Sequence, residues 1–143
     1  MLSVAKQSKT VRFILMLCII LAVSNYTAGV FIYRGYVKRL SETSINCWIT
    51  FEQDLLRGKI EIKPAHGMKV FPVDYQIYFY DDRGNTLQLI ADSLSGKLHA
   101  DFETQMKEKL FSKQWQVVGY SNVKIRWLWL SMSLSLPIEV QVE

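Results

Sequence analysis

Apolar residues are distributed along this chain in two distinct ways. From Phe13 to Tyr33 they run together, FILMLCIILAVSNYTAGVFIY, twenty-one residues without a charge. That length crosses a hydrocarbon core of about 30 Å at about 1.5 Å of helix per residue. From Ile45 onward they recur at every second position, the period of a strand with one buried face. The chain therefore divides into a tail over 1–12, a transmembrane helix over 13–33, a polar juxtamembrane linker over 34–44 and a β-rich domain over 45–143.

Within that domain the alternation predicts a succession of short strands. Ile45, Cys47, Ile49 and Phe51 share one face of the first, opposite Asn46, Thr50 and Glu52. A short run, Lys59–Lys63, precedes Pro64 and the loop-like Ala65-His66-Gly67-Met68. Val73–Asp81 is rich in the aromatic and β-branched types that suit a pleated surface. Asp82-Arg83-Gly84-Asn85 supplies turn residues before Thr86–Ala91, so these two runs are expected to form an antiparallel hairpin. Over 97–110 both periods fit, and strand is preferred as far as about Met106. Gln114–Tyr120 reads as another strand, Ser121-Asn122 as a tight turn, and Val123–Leu130 as the return. From Leu128 to Val142 every even position is apolar, with Pro137 expected to interrupt the run because proline cannot donate to a central ladder. Seven or eight short strands suit an antiparallel barrel, closed or partly open, or a small sandwich.

The apolar stretch has a competing reading as a cleaved signal peptide, since Ala22-Val23-Ser24 comes after a short apolar core. Hydrophobicity resumes in Gly29–Tyr33 before a basic stop, which favours a retained anchor. Three basic residues flank each side, Lys6, Lys9 and Arg12 before and Arg34, Lys38 and Arg39 after, so charge alone does not orient the helix. The short tail and the β-rich character of the segment beyond the helix favour a cytoplasmic N-terminus and a periplasmic domain at a bacterial inner membrane. Inside the stretch, Ser24-Asn25-Tyr26-Thr27 is polar, and Ser24 and Ala28 form a small-xxx-small pair. Ser24, Asn25 and Ala28 are thus candidates for contact with a partner helix; alternatively, Asn25 reaches the interface near the outer leaflet.

The net charge of +4 arises partly from those flanking residues. They suit the head groups of inner-membrane lipid better than a nucleic acid, since the rest of the chain has no basic stripe broken by aromatics. With 50% hydrophobic and 13% aromatic residues, the remainder can build a core. Cys18 lies in the membrane stretch and Cys47 in the outer domain, so they do not pair; Cys47 is either buried or bonded to another chain. His66 and His99 belong to no ligand-spaced cluster, and no phosphate loop, nucleophile elbow or CxxC pair is present. Neither an enzyme nor a cofactor is expected. Asp81-Asp82 precedes a turn, where Asp bonds nearby amides.

The aromatic residues offer more. Tyr75, Ile77 and Phe79 share one face of their strand and Gln76, Tyr78 and Tyr80 the other, while Trp127 and Trp129 lie opposite Leu128 and Leu130. Either one set fills the core while the other covers an interface, or the inner set lines a cavity for one small amphipathic ligand. Tyr78, Phe79, Trp127 and Trp129 are the candidate ligand residues. The apolar alternation reaching Val142 also makes Ile138, Val140 and Val142 candidates for pairing with a partner strand or with the chain's own first strand.

The order of these features resembles the FidL-like small inner-membrane proteins of enteric bacteria, which are related in role to ToxS and VtrC. The features are a basic tail and one span, Cys47 early in the outer domain, a Tyr-rich strand and Gly-Asn turn over Tyr75–Asn85, a Leu-rich strand with Gly96 soon after, and Leu136-Pro137 late. The segment from Thr104 to Gln116 departs from that pattern by its crowded charges. The resemblance implies a lipocalin-like barrel and a co-component that forms a heterodimer with a ToxR-like membrane-bound transcription regulator, in some members receiving bile salts. The rival expectations are a stand-alone membrane-anchored ligand-binding module and an envelope assembly factor or chaperone.

Overall fold

A computed structural model describes residues 2–111 and 114–143. These form two compact units, 1–38 and 39–143, each described by itself. The first lies in a single helix, α1 (Leu2–Glu42), whose last turn belongs to the second unit. Between Lys9 and Glu42 an 18-residue window reaches a mean hydropathy of 2.1, which qualifies the helix as a candidate membrane span. The expected linker over 34–44 is thus mostly helical: no proline interrupts it, and the straight-chain Lys38, Arg39, Leu40 and Glu42 favour helix. The helix stops at Thr43, whose hydroxyl lies 3.2 Å from the Arg39 carbonyl and 3.2 Å from the Ala65 amide, which donates to it.

The second unit is a seven-stranded, nearly closed barrel-like sheet built from β1 (Ser44–Glu52), β2 (Leu55–Lys63), β3 (Lys69–Asp81), β4 (Thr86–Ser93), β5 (His99–Gln105), β6 (Trp115–Trp127) and β7 (Leu130–Val142), with a short helix α2 (Glu108–Phe111) before β6. The strand order is β4-β3-β6-β7-β1-β2-β5. A helix followed by a mainly-β barrel is the expected class, but the sheet is mixed. Every neighbouring pair is antiparallel except β1 and β7, which run parallel with Asn46 facing Glu139 and Ile49 facing Val142.

Alternation places the core as the sequence indicates. Ile45, Cys47 and Ile49 of β1, Leu56, Ile60 and Ile62 of β2, Tyr75, Ile77 and Phe79 of β3, and Val123 and Ile125 of β6 are all buried. The β3–β4 hairpin forms as expected. Asp81 Oδ1 accepts from the amides of Arg83 (3.0 Å) and Asn85 (2.8 Å), and Gly84 takes the left-handed backbone at φ 80°. Here Asp81 organises the turn. The 97–110 ambiguity resolves into strand β5 followed by α2, whose Leu110 is buried.

Three local expectations are corrected. β2 starts at Leu55 and not at Lys59, because the chain already turns at Gln53-Asp54, with Gln53 at φ 54°. Ser121-Asn122 is no turn but the middle of β6. Ser121 is buried and its hydroxyl donates to the Asp74 carbonyl (2.8 Å), while Asn122 Nδ2 donates to Asp74 Oδ1 (2.7 Å). Their polarity serves a bulge in β3 between Pro72 and Asp74. Pro137 does not end its strand either; it sits opposite Tyr120 within a continuous β7.

The outermost strands, β4 and β5, share no backbone ladder. Gln88, buried in β4, spans them with one amide: its Nε2 donates to the Gln105 carbonyl (3.1 Å) and its Oε1 accepts from the Lys107 amide (3.1 Å).

Candidate functional site

The four candidate ligand residues do not converge. Phe79 is fully buried, whereas Tyr78 points to the other face, stacked on Tyr80 at 5.6 Å with its hydroxyl donating to Gln76 Oε1 (2.7 Å). Trp127 and Trp129 lie at the turn between β6 and β7, Trp127 half-buried and Trp129 71% exposed. Aromatic packing fills the interior around Phe79. Trp115 meets Phe79 edge-on at 5.2 Å and Phe51 at 5.4 Å, and Phe102 lies 5.7 Å from Tyr75. Phe102 occupies the space above Gly58, where a Cβ would come within 2.0 Å of its ring. A lone glycine in an alternating strand was the signal for this packing, and Trp115 and Phe102 were not singled out from sequence.

The barrel's irregularity lies in β7. Leu130–Ile138 pairs with β6, from Trp127 opposite Leu130 to Gly119 opposite Ile138. Glu139–Val142 pairs with β1 on the opposite edge, and the Glu143 amide extends this by donating to the Ile49 carbonyl (2.9 Å). The strand thus changes neighbour midway. Ile138, Val140 and Val142 belong to the closure of the chain on itself, with Ile138 buried opposite Gly119, which has no side chain to collide with it.

The other consequence is an open edge. From Ser131 to Pro137, the side of β7 away from β6 is paired with no strand, and no hydrogen bond among the described residues reaches it. Facing residues share a side of the sheet, so Met132 lies beside Ile125, Leu134 beside Val123 and Leu136 beside Ser121. These three β6 residues are buried, yet Met132 is 48% exposed and Leu134 and Leu136 are only half-buried. The opposite side of the strand carries the exposed Ser131, Ser133 and Ser135. Leu130–Leu136, LSMSLSL, contains no charge and no proline, the devices that normally blunt such an edge.

Electrostatics mark the packed side instead. Burial pushes the Cys47 thiol up to about 12. Tyr75 also rises to about 12, chiefly through burial and then through Asp92 and Cys47. Outside, Arg57 bridges Glu52 and Glu103 at 2.7 Å each, and Glu103 foremost raises the guanidinium's pKa. That triad is solvent-exposed and adds little stability. Among the described residues, no group of His, Cys, Asp and Glu could hold a metal.

In α1, Ser24, Asn25 and Ala28 fall on one face by helical spacing. Thr27 Oγ1 bonds back to the carbonyls of Val23 (3.0 Å) and Ser24 (2.9 Å), so its hydroxyl is satisfied within the helix. Among the described residues, the Asn25 amide has no such internal bond. Compared with protein-family models and with curated proteins, the chain matches none.

Proposed function

We propose that this chain is a non-enzymatic accessory subunit of the bacterial inner membrane, anchored by α1 with its N-terminus cytoplasmic. Its periplasmic barrel pairs with the sensory domain of a ToxR-like membrane-bound transcription regulator. The observation that carries this reading is the open edge of β7 from Ser131 to Leu136, ahead of Pro137. A neutral, unblocked edge with Met132, Leu134 and Leu136 incompletely covered is suited to a strand added from another chain, whose backbone supplies hydrogen bonds and whose alternate side chains cover the leucines. Asn25, with Ser24 and Ala28, offers the anchor a second contact with the regulator's own helix. An amphipathic ligand such as a bile salt would meet the uncovered face of β7 between the two chains, because Phe79 is already packed.

The test is to place charges on the edge without touching the core. Ser133→Lys with Ser135→Lys exchanges exposed side chains, so unfolding should shift by no more than about 0.5 kcal/mol. Co-purification of a co-expressed regulator should fall at least about tenfold, equivalent to about 1.4 kcal/mol. Unchanged capture would refute strand addition at this edge. A doubly charged variant that turns from homodimer to monomer would identify a second copy of this chain as the occupant instead. Bile-salt titration of the intact pair should give heat and raise its melting temperature; silence in both would remove the ligand and leave the pairing.

A further inference from the structure

The turn joining β6 to β7 carries a strongly apolar tip. Leu128 takes the left-handed backbone at φ 55°, and the turn leaves Leu128 54% and Trp129 71% exposed. A branched side chain in that backbone region is strained, so the tip is held in an unfavourable form that presents two large apolar groups to the outside. The charges beside it have one sign. Lys69 and Arg126 face each other across the β3–β6 pair and, with Gly67 and Leu128, line a shallow groove of about 200 Å³. Neither cation forms an ion pair among the described residues.

The tip is also tied to the chain just beyond the candidate span. The Arg39 guanidinium lies 4.8 Å over the Trp127 ring, and its Nε donates to the His66 carbonyl at 3.1 Å. Arg39 comes six residues after Tyr33, the last of the uncharged run, within one continuous helix. Six residues reach no more than about 20 Å even when fully extended, so the tether keeps the tip near the membrane surface if α1 crosses the bilayer.

We infer that the Trp127–Leu130 turn seats on the bilayer surface. Trp129 and Leu128 enter the head-group region, where an amphipathic ring and a neighbouring apolar chain are stable, and Lys69 with Arg126 holds the phosphates of anionic lipid. The inference rests on α1 being a membrane span and is independent of any protein partner. It gives the outer domain a second attachment to the membrane.

The test uses the full chain in vesicles of phosphatidylcholine and phosphatidylglycerol with brominated acyl chains, which quench tryptophans that reach them. All four tryptophans, Trp48, Trp115, Trp127 and Trp129, lie outside α1, so quenching reports the outer domain. Emission should be quenched in these vesicles. Trp129→Phe should remove most of the quenched component, and Trp48→Phe should leave it intact. Lys69→Gln with Arg126→Gln should reduce quenching in vesicles containing phosphatidylglycerol and leave it unchanged in pure phosphatidylcholine. Each variant is accepted as folded when buried Cys47 resists a water-soluble maleimide as in the parent. A chain that floats with the vesicles but is not quenched, or that is still fully quenched as Trp129→Phe, overturns the seat while leaving the span; in that case a protein surface covers the tip. A chain that does not float with the vesicles overturns the span and the seat together.

Discussion

The two halves of β7 have the same alternation and opposite situations. Glu139–Val142 lies along β1 and closes the chain on itself; Ser131–Pro137 lies along β6 and leaves its other edge free. In both, every second residue is apolar and turned to the same side of the sheet. The difference is in the intervening positions, Ser131, Ser133, Ser135 and Pro137 in the free half and Glu139 and Gln141 in the closed one. Alternation therefore reports which face of a strand is apolar and says nothing about what lies along its edges. The half that would ordinarily need a charge against unwanted pairing is the half that lacks one, and this contrast supports partner addition more than any single residue does.

The contrast can be broken most severely at the closed half. Deleting Ile138–Glu143 removes the β1–β7 ladder and the burial of Ile138, with part of Val140; at about 1.5 to 3 kcal/mol per fully buried side chain the loss is several kcal/mol. That approaches the stability of a small domain, so the truncated chain should fail to accumulate in pulse-chase labelling. Normal levels would show the closure to be dispensable. Gly119→Val tests the point where β7 changes neighbour, since even a Cβ there comes within 2.9 Å of Ile138 Cβ. Overpacking of this kind costs about 1 to 3 kcal/mol, seen as a thermal midpoint lower by about 4 to 8 °C per kcal/mol. An unchanged midpoint would mean that the strands separate freely here.

Alkaline titration sharpens the same comparison from the closed side, where Cys47 faces Val140. The thiol's folded pKa, about 12, stands above its ordinary 9.0. The folded state thus favours the neutral form. Its contribution is fully present below about pH 9 and is lost as pH rises towards 12, and Tyr75 acts in the same direction. Urea midpoints should fall across that window, less steeply for Cys47→Ser, and equal slopes would place the loss elsewhere. The smallest effect belongs to α1. Asn25→Leu should weaken helix pairing in a membrane two-hybrid assay by about 1 kcal/mol or less, and unchanged pairing would return Asn25 to the lipid interface.

Much of the barrel was legible because alternation sorts residues by face, although in β3 both faces carry large rings and the sequence left open which is inner. Tyr75, Ile77 and Phe79 separated cleanly from Gln76, Tyr78 and Tyr80, and Asp82–Asn85 named its own turn. What escaped was decided by partners distant in sequence. Ser121 and Asn122 resemble turn residues until Asp74, across the sheet, is seen to accept from both. Conversely, Gln53-Asp54 and Leu128-Trp129 turn the chain without the usual glycine, and Leu128-Trp129 lacks a polar residue as well, so local chemistry did not announce them. The parallel join of β1 to β7 unites opposite ends of the domain, and where that join stops decides how much of the edge stays free. The edge was therefore invisible in the sequence, although its leucines were plain.

Gln88 has a consequence of its own. A ring of strands closed everywhere by backbone ladders opens only by unfolding, but here, among the described residues, the hydrogen bonds that span β4 and β5 come from one side chain, beside the packing of α2 on β4. Releasing them costs on the order of 1 to 3 kcal/mol, well below the cost of global unfolding, so hydrogen-exchange measurements should find the amides of β5 and the outer margin of β4 exchanging ahead of the core strands. Phe79 sits directly opposite Gln88. The loosest seam of the ring therefore lies beside that amide, on a side separate from the unpaired edge of β7.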